Sequence, residues 1–158
     1  LKQSFIETMC SLKDLILTDV KLAMKSGEKE NLGALRLISA AFKQHEVDKR
    51  ENVSDQIAVT ILMRMSKQRR ESITQFEAGN REDLARQEKL ELNIIAKYLP
   101  IQLSETEIAQ EVESAINKAK ASAMKDMGKV MEILNQSLAG KADMAKISAF
   151  VKQKLLPQ

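Results

Sequence analysis

Apolar residues recur along this chain at intervals of three and four, the period of one face of an α-helix. Phe5, Met9, Leu12, Ile16, Val20 and Ala23 form the first such face. They predict a helix that begins at Ser4 or Ser11, runs to about Lys25 and is ended by Ser26-Gly27. Leu32, Leu35, Ile38 and Phe42 predict a second helix over 30–48. A third starts at Ser54, whose hydroxyl suits the first free amides of a helix, and continues to Glu77. Ala78-Gly79-Asn80 then makes a tight turn, with Asn80 placed to cap a fourth helix that reaches Tyr98. No strand-like alternation, internal repeat or low-complexity run breaks the pattern.

Pro100 marks a joint. It has no backbone N–H to donate and pushes Leu99 toward extended geometry, so the fourth helix stops before it. Four residues later, Ser104 and Glu107 have the spacing of a capping box, in which each side chain satisfies the other's backbone amide. From there Ile108, Val112, Ala115, Ile116 and Ala119 predict a fifth helix. Met127, Val130, Met131, Leu134 and Leu138 predict a sixth, starting near Asp126 and closed by Ala139-Gly140-Lys141. Ile147, Phe150, Val151 and Leu155 predict a seventh, capped by Asp143. The expected fold is therefore all-α. Residues 1–99 form a helical N-terminal domain with a long antiparallel hairpin of helices three and four, and residues 100–158 form a small three-helix bundle.

The hairpin carries one specific expectation. The apolar row Ala58, Leu62, Met65, Ile73, Phe76 of helix three is interrupted by Arg69, and the row Leu84, Leu92, Ile95, Leu99 of helix four by Glu88. Folding about Gly79 sets the two interruptions opposite each other, so Arg69, with Arg70 as second choice, is expected to pair with Glu88. Removing one partner of such a pair leaves a poorly solvated charge, at a cost of roughly 3–5 kcal/mol.

Composition narrows the classes. The 158 residues are 44% hydrophobic and 30% charged, enough apolar material for a core, and the two prolines and five glycines suit helices. A net charge of +3, with a pI near 9.0, permits an anionic partner without demanding one. The lone cysteine, Cys10, allows no internal disulfide and suits a reducing compartment. No apolar run approaches the ~18 residues of a membrane span, and the first residues, with Lys2 and Glu7, lack a signal peptide's apolar stretch. A cytoplasmic setting is expected, with an organellar matrix as the alternative. The chain opens on Leu1 instead of Met, as a fragment or a processed product would.

Catalytic signatures are scarce. His45, the only histidine, sits among Glu46 and Asp48 and reads as a solvated helix residue rather than a general base. Cys10 has no histidine beside it and reads as a semi-buried thiol. One histidine and one cysteine make no zinc site, and no phosphate-binding glycine loop is present, so neither metal nor cofactor is expected. Gly128 stands alone and is expected to let helices approach closely. The binding candidates are basic. Lys125 and Lys129 lie one turn apart at the start of helix six, while Lys141 and Lys146 flank the start of helix seven. Helix N-termini among lysines suit phosphate, although Glu132 and Asp143 lie nearby. Arg64, Lys67 and Arg70 form a second basic face on helix three, which a merely solvated face with local ion pairs would also present. With one tyrosine and no tryptophan, reading of unpaired bases by stacking is not expected.

Three segments carry a family resemblance. Residues 66–77 (SKQRRESITQFE), Tyr98-Leu99-Pro100 with Gln102-Leu103-Ser104, and residues 124–131 (MKDMGKVM) resemble, in this order, the GatB/YqeY family, and the likeness runs from about Ser11 to Leu155. The resemblance implies an N-terminal helical domain and a tail similar to the C-terminal module of the GatB component of the glutamine-dependent aminoacyl-tRNA amidotransferase. There the tail helps hold tRNA while amide transfer proceeds elsewhere. It picks out Lys125, Gly128, Lys129 and the Gly140-Lys141-Ala142-Asp143 turn as candidate tRNA-facing positions. Met144 departs from the family's glycine at that point and would narrow access to the turn. The family label is a carbon–nitrogen ligase with glutamine as amide donor. No residue here supplies that chemistry, so the expectation is a binding protein for tRNA or an amidotransferase–tRNA assembly. A protein-interaction module, gripping its partner with the N-terminal helices and carrying a structural tail, is the alternative.

Overall fold

The computed structural model describes residues 11–100, 102–138 and 140–156. Regular structure among them is entirely helical: α1 Leu12–Ser26, α2 Lys29–Lys49, α3 Asp55–Ala78, α4 Glu82–Ala96, α5 Glu105–Ala119, α6 Met127–Ser137 and α7 Met144–Leu155. A 3-10 turn, Met124–Asp126, leads into α6. The chain separates into two compact units between Leu99 and Pro100. Phe5, Met9 and Cys10 lie outside the described residues.

Helix ends in the N-terminal unit follow local chemistry. Ser11 Oγ accepts from the Asp14 amide at 3.1 Å, which fixes the start of α1. Gly27 ends that helix at φ +76°, donating to the Ala23 carbonyl at 3.1 Å. Ser54 Oγ accepts from the Ile57 amide at 3.3 Å and opens α3. The turn after α3 departs from expectation. Gly79 keeps φ −88°, and Asn80 takes the left-handed conformation at φ +57°, which asparagine tolerates better than most side chains. Asn80 is therefore not the cap of α4. Arg81 holds that place with no capping hydrogen bond, and its guanidinium instead pairs with Asp83 at 3.0 Å.

Ile16, Ile38, Phe42, Ala58 and Leu62 are the fully buried centre of this unit, each at 2% exposure or less. Burying a large side chain of this kind contributes roughly 1.5–3 kcal/mol. A smaller cluster joins Ala23, Ala34, Leu35 and Ile94. The buried face of α4 is rotated from the one its leucines suggest: Ala85, Glu91, Ile94 and Ile95 are buried, and Leu84 and Leu92 only half so. The cause is that α4 packs against α2 as well as α3, which shares its inner surface between two neighbours.

In the C-terminal unit α5, α6 and α7 close over Ile108, Val112, Val130, Leu134, Ile147 and Val151. The capping box of α5 is complete: Ser104 Oγ accepts from Glu107 N at 3.3 Å, and Glu107 Oε2 accepts from Ser104 N at 2.9 Å. Asp143 caps α7 by accepting from Ala145 N at 3.0 Å. Before α5, Leu103 N donates to the Lys141 carbonyl at 2.9 Å, and Gln102 Nε2 donates to the Gly140 carbonyl at 2.7 Å. The residues that open this unit thus fasten the turn that opens its last helix.

Candidate nucleic-acid interface

Lys125 and Lys129 stand on the 3-10 turn and the first turn of α6, both exposed. Between them Asp126 turns its carboxylate back along the chain, accepting from Ser122 N at 3.0 Å and Ala123 N at 3.3 Å. Those amide bonds, with help from the two lysines, hold the Asp126 carboxyl below the usual carboxylate range. Its oxygens order the loop while its charge still acts on both lysines, and neither lysine is in an ion pair among the described residues.

Gly128 corrects an expectation. A Cβ placed there would meet nothing within 4 Å, so the glycine does not serve close helix packing. It is exposed, and it leaves the backbone of the first turn of α6 uncovered between Lys125 and Lys129. Lys141 and Lys146 are also exposed and lie on either side of the Asp143 cap. Gly140, at φ +75°, makes the turn that carries Lys141. Met144 is half-buried and packs against the core of the unit, so its side chain is directed inward. The carboxylate of Asp143 occupies the N-terminus of α7, which limits how much of that helix end is open to another anion.

On α3, Arg64, Lys67 and Arg70 share an exposed side. They too lie outside the ion pairs among the described residues, whereas Lys13 pairs with Glu46 and Lys89 with Glu77. Arg69 points the other way, into the contact with α4. Its Nε lies 3.4 Å from Glu88 Oε2 and 2.7 Å from Glu91 Oε2, with all three side chains at 20% exposure or less. Glu91 is the partner that the apolar rows do not reveal, and it is the nearer one. The contact is charge on charge: neither Arg69 Nε nor Glu88 Oε2 makes a well-directed hydrogen bond among the described residues. Ser66 Oγ, buried on the same helix, also has no partner there. Burial raises the Glu88 carboxyl, Arg69 opposes that, and the charge on Glu91 adds to it.

His45 is half-buried, with Nε2 3.0 Å from Glu51 Oε1, so it braces the end of α2 instead of standing free in solvent. Among the described residues no group of three or more His, Cys, Asp or Glu side chains is arranged to hold a metal, and no helix is long and apolar enough to cross a membrane.

Comparison with known proteins places these features in a family. The chain is similar to "Altered inheritance of mitochondria protein 41, mitochondrial" of Eremothecium gossypii, 30% identical over 123 residues, covering 75% of this chain and 64% of that protein. The protein of the same name from Saccharomyces cerevisiae is 29% identical over 126 residues, 77% of this chain and 68% of its own length. That from Lachancea thermotolerans is 30% identical over 124 residues, with 76% and 64% covered. The chain thus spans a little under two thirds of the Eremothecium and Lachancea proteins. The Yqey-like protein family model matches residues 13–155, both helical units together, and the chain belongs to that family.

Proposed function

We propose that this chain is a tRNA-associated accessory protein, related to the glutamine-dependent aminoacyl-tRNA amidotransferase, that binds RNA through the lysine-bearing side of its C-terminal unit. The observation that carries the reading is charge segregation along the sequence of that unit. Residues 105–117 hold four carboxylates and no lysine or arginine, while residues 118–154 hold eight lysines against Asp126, Glu132 and Asp143. Asp126 and Asp143 are both engaged by backbone amides. The exposed ammonium groups of Lys125, Lys129, Lys141 and Lys146 are left to meet phosphates, and the bare backbone at Gly128 gives an RNA strand close approach.

Recognition would be of a folded RNA's shape and backbone. The C-terminal unit has neither tryptophan nor tyrosine, and Phe150 packs on its core. The family's likeness to the amidotransferase tail supports tRNA as the RNA. Its label, a carbon–nitrogen ligase using glutamine as amide donor, fits an assembly in which partner proteins perform the transfer. The mitochondrial names of the relatives favour an organellar matrix over the cytosol as its place of work.

A gel-shift titration with tRNA at low salt tests this. Binding by the chain, weakened when Lys125, Lys129 and Lys141 are changed to Ala, is the expected result; no binding, or binding untouched by those changes, overturns it. A second reading, a protein-interaction module built on the N-terminal helices, is favoured by a separate observation. Leu15, Leu17, Leu22 and Met24 of α1 and Leu37 and Val47 of α2 make up six of the eight exposed large apolar side chains among the described residues. Crosslinking in lysate, followed by sequencing of bound RNA and identification of bound proteins, separates the two.

A further inference from the structure

The turn between α1 and α2 and the end of α4 border an open, shallow cleft of about 450 Å³, of a size that takes a partner's side chains. Ala23 and Ile94, both buried, supply its apolar wall, and Leu22 adds an edge that is 57% exposed. Two carboxylates also line it, each held by a neutral donor. Asp19 Oδ2 accepts from the Tyr98 hydroxyl at 2.5 Å, and Glu28 Oε2 accepts from the Asn31 side-chain amide at 2.9 Å. Neither donor cancels the charge it orients. Lys97 is the one cation in the lining. The C-terminal turns of α1 and α4, where the helix dipole is negative, both border the cleft.

We propose that this cleft docks a basic side chain of a protein partner, with a neighbouring aliphatic side chain laid against Leu22 and Ile94. This builds on the second reading above and is independent of RNA binding. Two oriented carboxylates and two helix C-termini outweigh one ammonium and the positive N-terminus of α2, whose N-cap is Glu28, so the field selects a cation. The apolar wall beside them favours a hydrocarbon next to that cation, which a simple metal ion does not bring. Preset acceptors and a preformed wall lower the ordering cost of binding.

The test is an NMR titration of the isotope-labelled full chain with N-acetyl-leucyl-arginine amide, using N-acetyl-leucyl-glutamate amide as the matched control. The expected result is saturable shifts at the amides of Leu22, Asn31 and Lys97 with the arginine peptide alone. Each of Asp19→Asn and Glu28→Gln, which keep size and hydrogen bonding, should weaken that binding roughly threefold. Leu22→Asn, which removes the apolar edge without adding charge, should weaken it by a similar factor without unfolding the chain, since Leu22 is exposed. Equal shifts with both peptides overturn the proposal. So do shifts confined to Leu17, Met24 and Leu37, which leave the second reading standing at another surface. Shifts nowhere on α1, α2 or α4 overturn the proposal, and the second reading is then decided by the crosslinking experiment. Changes in the cleft on raising protein concentration without peptide identify a second copy as the occupant and also overturn it.

Discussion

Loss of Arg69 should cost the N-terminal unit about as much as loss of a large core side chain. Arg69→Met keeps the aliphatic stem and removes the charge, leaving Glu88 and Glu91 facing each other with no cation between them. The side chains of the three are 18%, 20% and 11% exposed, enough burial that solvent does little to screen the repulsion. Truncating one partner of a buried charge cluster costs roughly 3–5 kcal/mol, and the residual exposure places this one at the low end, about 3 kcal/mol. For a unit of this size that corresponds to a melting point lower by roughly 10–20 °C. The pH dependence has a definite sign. Glu88 holds its proton more tightly folded than unfolded, so its contribution is present below its ordinary value near 4.5 and is lost as pH rises through the folded value. Without Arg69 that carboxyl rises further. The deficit should therefore be largest near pH 7 and shrink toward pH 5, and the Arg69→Met/Glu88→Gln double variant should recover most of it. Urea unfolding at the two pH values measures this. A loss below about 1 kcal/mol, or one that does not change with pH, refutes the reasoning.

Tyr98 is the only tyrosine, so its ionisation can be followed alone by absorbance at alkaline pH. Burial, with the Asp19 carboxylate beside it, pushes the phenol well above its ordinary 10.0. Its stabilising effect persists below that value and is lost as pH climbs through the folded one, so phenolate should appear only together with unfolding by circular dichroism; phenolate near pH 10 in a folded chain contradicts this. Ser104→Ala removes one half of the capping box of α5 and should cost about 1 kcal/mol in urea unfolding of the C-terminal unit. Gly128→Ala should raise stability by up to about 1 kcal/mol, because its methyl meets nothing; if an RNA strand lies against that backbone, tRNA affinity should fall at the same time.

Much of this architecture is legible in the sequence because local chemistry and helical period agree. Ser54, Ser104, Asp143 and Gly27 each do at a helix end what their residue types predict. What is not legible depends on neighbours. Asn80 has the residue type of a cap, but the turn requires one residue in the left-handed conformation, and Asn80 supplies it in place of Gly79. Glu91 is hidden because the leucines of α4 suggest a different buried face, and packing against α2 turns that face toward Ala85, Glu91 and Ile94. Gly128 has the look of a packing glycine, and only the space around it shows open surface. At the candidate interface the lysines are visible in sequence. The backbone bonds that occupy Asp126, and those that fasten the Gly140–Lys141 turn to Gln102 and Leu103, join segments through geometry that no spacing rule encodes.

RNA binding as proposed rests on phosphates meeting the C-terminal lysines, and the slope of log affinity for tRNA against log salt measures that most directly. Each phosphate deprived of its lysine should reduce that slope by roughly 0.7–0.9. Changing Lys125, Lys129, Lys141 and Lys146 together to Ala should therefore flatten it by about three units while leaving the melting point unchanged, as their exposure dictates. An identical slope in the chain and the fourfold variant would show that these lysines meet no phosphate.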